Sequence, residues 1–124
     1  MIDHVSVAVH DLAAATRFYE ALLAAIDLTK LEVRSTTIGF GKKYSEFWIN
    51  LRIEGAETAN GAHVCFRART TEMVDAFHVA ALAAGGTSDG APGLRPQYGE
   101  GYYAAFIRDP DGNRIEAVTF VAAK

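Results

Sequence analysis

Residues 3–26, DHVSVAVHDLAAATRFYEALLAAI, contain a strand pattern followed directly by a helix pattern. Residues 3–9 alternate with period two, so their three valines share one face of a predicted strand. Asp11 is a predicted N-cap, and the apolar residues after it recur at helical spacing. This stretch therefore predicts a strand whose valine face packs against the helix that follows it.

Three further strands are predicted between about Leu31 and Glu54. The segments LEVRS, TTIGFG and EFWINLRIE are rich in β-branched and aromatic residues, and glycine or polar pairs separate them. Residues 55–62, GAETANGA, are small and polar, which predicts a loop or linker. The first half of the chain is therefore predicted to contain a strand, a helix and several further strands.

The second half of the chain repeats this pattern at an offset of 59 residues, which places His63 on His4. Residues 62–68 alternate like a strand, and the helical spacing that follows ends at Gly85–Gly86. Two unrelated amphipathic helices would share some of these matches. The matched histidines at corresponding strand positions favour an internal repeat instead.

The last part of the chain combines a glycine-rich segment with two strands. Residues 88–101, SDGAPGLRPQYGEG, predict a loop of the kind that covers a ligand. Two predicted strands then flank the turn DPDG at residues 109–112. Pro110 has the φ of an early turn position, and Gly112 can take the positive φ that closes the turn.

Composition limits the class of protein and its partners. With 124 residues, 50% of them hydrophobic and 22% charged, the chain is expected to form one globular domain. The net charge of −3, with no basic run longer than Lys42–Lys43, argues against nucleic acid as a partner. Cys65 is the only cysteine, and no apolar stretch approaches the length of a membrane span. We therefore expect no disulfide, no membrane association and a cytoplasmic location.

Several strand residues face away from the apolar sets that the helices would cover. By period two they are His4, Trp48, Asn50, His63 and Glu116. If the strands curve around this face, the residues line a cleft, and two imidazoles with a carboxylate suit a site for divalent iron, manganese, zinc or nickel. The same residues also fit the solvent side of an ordinary sheet, and sequence separation leaves both interpretations open.

Three segments together resemble the vicinal oxygen chelate superfamily, which includes glyoxalase I, extradiol dioxygenases, fosfomycin-resistance enzymes and bleomycin-resistance proteins. They are IDHVSVAVHDLAAATRFYEALL (2–23), GAHVCFRA (61–68) and FIRDPDGNRIEAV (106–118). The resemblance covers essentially the whole chain, 1–124, and implies a single domain of the α+β class. That domain would consist of two tandem βαβββ modules, at about 1–56 and about 61–122, whose curved sheets form an open cleft.

The resemblance also implies a divalent metal ion (Fe, Mn, Ni or Zn) at the floor of the cleft. Its ligands fall on His4, His63 and Glu116, and Glu116 is also the implied catalytic carboxylate. The fourth ligand, a glutamate in glyoxalase I, falls on Asn50 when INL of this chain is aligned with IEL of that family. Asparagine cannot titrate, which argues against glyoxalase I activity itself.

The implied function is a small metal-dependent enzyme acting on a small molecule with vicinal oxygens, by lyase, isomerase or dioxygenase chemistry. The alternative is a non-catalytic protein that binds a small molecule or an antibiotic, as bleomycin-resistance proteins do. Single chains of this length in the superfamily generally form homodimers, and both subunits often complete each cleft. We expect a homodimer on that analogy.

Substrate contacts are expected from side chains of the cleft and of the glycine-rich segment. They are Trp48, Asn50, Arg95, Tyr98, Tyr102 and Tyr103. Trp48 would stack on a planar substrate, and Arg95 with the tyrosines would bind an anionic or aromatic one. A core or dimer contact for Trp48, and a loop-anchoring role for Arg95 and the tyrosines, remain open alternatives.

Overall fold

The computed structural model describes residues 1–52 and 62–122. Most of the predicted linker 55–62, and the end of the strand predicted to reach Glu54, lie outside these residues. The elements follow the chain as β1 (Val5–Val9), α1 (Leu12–Ala24), β2 (Thr29–Val33), β3 (Thr37–Gly41), β4 (Ser45–Leu51), β5 (His63–Arg67), α2 (Thr71–Ala83), β6 (Thr87–Leu94), β7 (Tyr102–Arg108) and β8 (Arg114–Phe120). A short 3-10 turn at Pro96–Tyr98 separates β6 from β7.

The strands form two sheets of four, in the orders β1-β4-β3-β2 and β5-β8-β7-β6. In each sheet the first strand pairs in parallel with the last, and the remaining pairs are antiparallel. Each sheet with its helix is one βαβββ unit. The α+β class and the two tandem modules predicted from the sequence are therefore confirmed.

Both helices begin at side-chain caps. Asp11 accepts a hydrogen bond from the backbone N–H of Ala14 at 3.0 Å, and Thr70 caps α2 in the same way. Such caps stabilise a helix by about 1 kcal/mol. Gly85, with φ of +108°, follows the end of α2 as the sequence predicts. In the described part of the chain, neither helix is long and apolar enough to cross a membrane.

The two modules share one apolar core. The buried faces of α1 and α2 contact each other, and both contribute to a continuous cluster with the inner faces of the strands. Phe47 of β4 meets Phe66 of β5 with ring centroids 5.1 Å apart, which joins the two sheets directly. Burial of each large side chain contributes about 1.5–3 kcal/mol, so the modules are held together by packing.

The turn between β7 and β8 also fastens module two to module one. Tyr19 of α1 donates a hydrogen bond from its hydroxyl to the buried Asp109 carboxylate at 2.5 Å. Asn113 donates from its side chain to a carbonyl of β1 at 2.8 Å, and Asp111 accepts from the backbone of His10 at 3.0 Å. The DPDG turn therefore links the modules as well as setting the register of β8.

The prediction of a loop over residues 88–101 is wrong for the first half of the segment, which belongs to β6. This strand pairs with β7 through shifted register at Gly90 and Gly93. A Cβ at Gly90 would lie 2.9 Å from Phe106 Cδ1, so glycine is needed for the ring to lie against the strand. The glycines mark close approach at an irregular edge strand, which composition alone does not distinguish from a loop.

Candidate functional site

A histidine and a glutamate meet on the open face of module two. His63 Nε2 lies 2.8 Å from Glu116 Oε1, across the parallel pair of β5 and β8. The Glu116 side chain is 2% exposed, whereas that of His63 is 47% exposed. The carboxylate is therefore fixed inside the sheet, and the imidazole faces the cleft.

Tyr102 of β7 holds the other carboxylate oxygen. Its hydroxyl donates to Glu116 Oε2 at 2.5 Å. Burial, followed by the hydrogen bond to Glu116, raises the pKa of Tyr102, so the hydroxyl stays protonated as a donor. Tyr102 was predicted to bind substrate, and the structure shows its hydroxyl bonded to Glu116 on β8.

Cys65 lies beside this pair, opposite Glu116 in the strand register. Burial, and next the negative charge of Glu116, raise the pKa of Cys65 to about 12. The group is a thiol at neutral pH, and a thiol is a poor nucleophile compared with its thiolate.

The cleft of module two has a volume of about 390 Å³. His63, Asp89, Gly90, Arg95, Tyr98, Phe106 and Arg114 line it. Arg95 lies over the ring of Phe106, with its guanidinium carbon 5.3 Å from the ring centroid. Two predicted substrate-binding residues, Arg95 and Tyr98, therefore lie in the same cleft as His63.

Three other predicted residues line a second cleft, on the open face of module one. His4, Trp48 and Asn50 border it, with Glu32 and Arg34 opposite them. The guanidinium carbon of Arg34 lies 4.9 Å from the ring of Trp48. His4 is exposed, and its Nδ1 lies 2.7 Å from Oδ2 of its neighbour Asp3.

A single chain does not bring the three predicted metal ligands together. Among residues 1–52 and 62–122, no group of three or more His, Cys, Asp or Glu side chains is arranged to hold a metal ion. His4 of module one borders a groove that it shares with Cys65. His63 and Glu116 meet on the open face of module two. Each sheet faces its own cleft because the modules are joined through their helix-covered faces.

The register of the sheets shows which residue of module one corresponds to Glu116. In module two, Cys65 lies opposite Glu116; in module one, the matching residue Ser6 lies opposite Trp48. Asn50 lies two residues further along, opposite Ala8. By this internal symmetry Trp48, and not Asn50, corresponds to Glu116, whereas the assignment of the fourth ligand position to Asn50 stays a prediction. A shift of two residues keeps the same face, so alternation could not reveal it.

Tyr103 does not reach either cleft. Its hydroxyl donates to Asp75 of α2 at 2.6 Å, on the helix-covered face of the sheet. This hydrogen bond is the main cause of the raised pKa of Tyr103. Adjacent residues of a strand point to opposite faces, so Tyr103 lies on the helix side and Tyr102 on the side of Glu116, and the predicted substrate contact for Tyr103 stays a prediction.

The lining residues that the sequence did not indicate include Arg114 and Phe106. Arg114 precedes Glu116 by two residues and so shares its face, and Phe106 lies opposite Glu116 in the register. The period-two spacing from Glu116 could have identified Arg114. The position of Phe106 opposite Glu116 follows from the pairing of β7 with β8, which the short turn between these strands suggests.

Two βαβββ modules, each presenting a cleft on its open sheet face, define a glyoxalase-like class of small protein. The family model of the Glyoxalase/Bleomycin resistance protein/Dioxygenase superfamily matches residues 1–117. The chain therefore belongs to this superfamily. No curated protein matches its sequence.

Solved structures agree with this assignment. A glyoxalase/bleomycin resistance protein from Albidiferax ferrireducens is 36% identical, over 94% of this chain and 97% of that one, with a TM-score of 0.84. A family enzyme from Burkholderia phytofirmans is 21% identical, over 97% and 98% of the chains, with a TM-score of 0.75. A glyoxalase I mutant from Zea mays is 21% identical over 94% of this chain and 45% of that one, with a TM-score of 0.74. At 21% identity, the last two structures show a similarity of fold alone.

Proposed function

We propose that the protein is a small metal-dependent enzyme acting on a small molecule with vicinal oxygens, at a site that two copies of the chain complete. One copy supplies His63 and Glu116, and the third ligand is His4 of the partner subunit. The observation that carries the proposal is the contact between His63 Nε2 and Glu116 Oε1 at 2.8 Å, with the carboxylate buried.

The geometry of this pair fits two adjacent ligands of one divalent ion. Ligand atoms at about 2.1 Å from an ion and at right angles to each other are about 3.0 Å apart. Glu116 Oε2 accepts a hydrogen bond from Tyr102, and Oε1 is the oxygen directed towards His63. Imidazole nitrogen with carboxylate oxygen is a donor set that suits iron, manganese, nickel or zinc.

The free sheet edges favour a site between two copies. The strand orders leave β1 and β5 as the first strands of their sheets, each with one paired neighbour. A two-fold dimer that sets β1 of one copy beside β5 of the other would join each module-one cleft to a module-two cleft. Symmetry then creates two equal sites, each with the set of two histidines and one glutamate.

A bound divalent ion would supply Lewis acidity towards the vicinal oxygens of the substrate. His63 and Glu116 fix the position of the substrate oxygens relative to the cleft wall, and Tyr102 keeps Glu116 from turning. Trp48, which corresponds to Glu116 in module one, donates no ligand atom, so three protein ligands leave room for water and substrate. Lyase, isomerase or dioxygenase chemistry is compatible with this arrangement.

Metal analysis of the purified protein tests the proposal. The wild type should retain Mn²⁺, Fe²⁺, Ni²⁺ or Zn²⁺ after gel filtration, and the double variant His4→Ala/His63→Ala should not. Asn50→Ala is the matched control, since Asn50 lies opposite Ala8, two residues beyond the position that corresponds to Glu116, and it should retain metal like the wild type. Equal metal content in the wild type and the double variant would contradict the proposal.

One observation favours a second candidate, a non-catalytic small-molecule binder. Trp48 lies at the position that corresponds to Glu116 with Arg34 stacked on it, which gives module one an aromatic wall. Such a cleft can bind a flat compound without metal. Metal-free protein that binds compounds as tightly as metal-loaded protein, with no turnover, would favour this candidate.

A further inference from the structure

We propose that the ligand of the module-two cleft is an aromatic carboxylate, whose anionic group is bound by Arg95 and Arg114 and whose ring lies against Phe106. The inference rests on the proposed function for the location of the site. It makes no use of the metal.

The charges of the cleft favour an anion. Asp89 is paired with Arg108, with their charged atoms 3.7 Å apart, so these charges largely offset each other. Arg95 and Arg114 line the same cleft and have no carboxylate partner among the ion pairs of the described residues. The cleft therefore carries two uncompensated guanidinium groups, although the chain as a whole has a net charge of −3.

The remaining carboxylate near the cleft is directed elsewhere. Both oxygens of Glu116 are engaged, one by His63 and the other by Tyr102. Glu116 is almost fully buried, and Arg114 is exposed on the strand two residues before it. The guanidinium of Arg114 is therefore left to solvent or to a ligand.

Arg95 is held in place before any ligand arrives. Its Nη2 donates to the carbonyl of Ala91 at 2.6 Å, and its guanidinium lies over Phe106. A Cβ at Gly90 would lie 3.1 Å from Nη2, and one at Gly93 would lie 3.2 Å from Nη1, so two glycines make room for this position. One of the five N–H donors is used in this way, which leaves others for a carboxylate.

The walls of the cleft favour a flat ring. Tyr98 and Phe106 have centroids 6.5 Å apart and an interplanar angle of 63°, and Tyr98 is 62% exposed. An aromatic ligand would cover this exposed ring and add edge-to-face contacts of the kind that Tyr98 already makes. The volume of about 390 Å³ suits one small aromatic acid.

Calorimetric titration of the purified full chain with salicylate and with its neutral analogue salicylamide tests the inference. Salicylate should bind at least about tenfold more tightly, because a charge-assisted hydrogen bond contributes more than a neutral one. Arg95→Gln and Arg114→Gln should each weaken salicylate by about tenfold and leave salicylamide unchanged. Arg17→Gln, on the exposed face of α1, is the matched control and should change neither.

Equal affinity for salicylate and salicylamide, or an unchanged salicylate affinity in Arg95→Gln and Arg114→Gln, would overturn the inference. Cyclohexanecarboxylate should bind more weakly than benzoate, and equal binding would overturn the role of the flat ring. Metal content measured on the same samples separates the two proposals. Arginine-dependent salicylate binding by a protein that takes up no metal would leave this inference standing and contradict the metal-dependent function.

Discussion

Trp48 in β4 occupies the position that Glu116 occupies in β8. Each lies opposite the residue two places after the module's matched histidine, Ser6 after His4 and Cys65 after His63. Gly39, its neighbour on β3, makes room for the indole, since a Cβ there would lie 2.9 Å from Trp48 Cη2. Module two therefore carries a histidine–carboxylate pair across its parallel strands, and at the corresponding place module one offers an aromatic wall.

The first prediction follows from this difference between the modules. Neither Trp48 nor Asn50 can take up and release a proton as a carboxylate does, so the wild type should show weak or no isomerisation of the methylglyoxal–glutathione hemithioacetal. A spectrophotometric assay of metal-loaded protein measures this activity. Robust turnover would contradict the view that a β4 carboxylate is needed.

Tyr102→Phe should loosen the buried Glu116. Removing the hydroxyl leaves Oε2 without its donor and lets the carboxylate rotate, so affinity for Zn²⁺ or Ni²⁺ should fall by about 10-fold to 100-fold. Competition with a chelating dye measures the affinity without any substrate. Tyr98→Phe is the control, because its ring contacts Tyr102 but its hydroxyl forms no hydrogen bond within residues 1–52 and 62–122. Equal losses in both variants would argue against a role for the Tyr102 hydroxyl.

Tyr19→Phe should lower the free energy of unfolding by about 1–3 kcal/mol, because it removes a hydrogen bond to a buried carboxylate. Asp109 would keep its bonds from the backbone of Asp111 and from Asn113, so the turn itself should remain. Urea unfolding measures the change. Tyr44→Phe, at a residue 53% exposed, should change it little. Similar values for both variants would show that the link between the modules adds no stability.

The buried His78 should make stability depend on pH. Burial lowers the pKa of His78 below its usual 6.5, and the charge of Asp75 opposes this only in part. The unfolded chain then binds more protons than the folded chain as the pH falls, so stability should be full above about pH 7 and decrease below about pH 6.5. Urea unfolding of the wild type and of His78→Gln, at about pH 8 and about pH 5, checks the sign. An equally steep decrease in both would contradict the assignment to His78.

The sequence predicted features that depend on short-range periodicity. The alternation of 3–9 and the helical spacing after Asp11 gave β1 and α1, because side-chain period directly reflects local backbone geometry. The same alternation put His63 and Glu116 on one face, and the structure brings them to 2.8 Å. The repeat at 59 residues matches the starts of α1 and α2.

Features that depend on pairing between distant strands were less predictable. Trp48 and Asn50 share a face, so only the strand register shows that Trp48 lies opposite Ser6 and Asn50 opposite Ala8. β6 was mistaken for a loop because Gly90 and Gly93 accommodate Phe106 and Arg95. The separation of His4 from His63 reflects how the modules pack, which no local pattern encodes.

The central claim is that two copies complete each metal site, and mixing two defective variants tests it most directly. His4→Ala and Glu116→Ala should each fail to retain metal alone. After they are unfolded together and refolded, mixed dimers should carry one intact site each, so metal content should recover to about a quarter of the wild-type value. No recovery in a mixture shown to contain mixed dimers, while the wild type binds metal, would contradict a shared site.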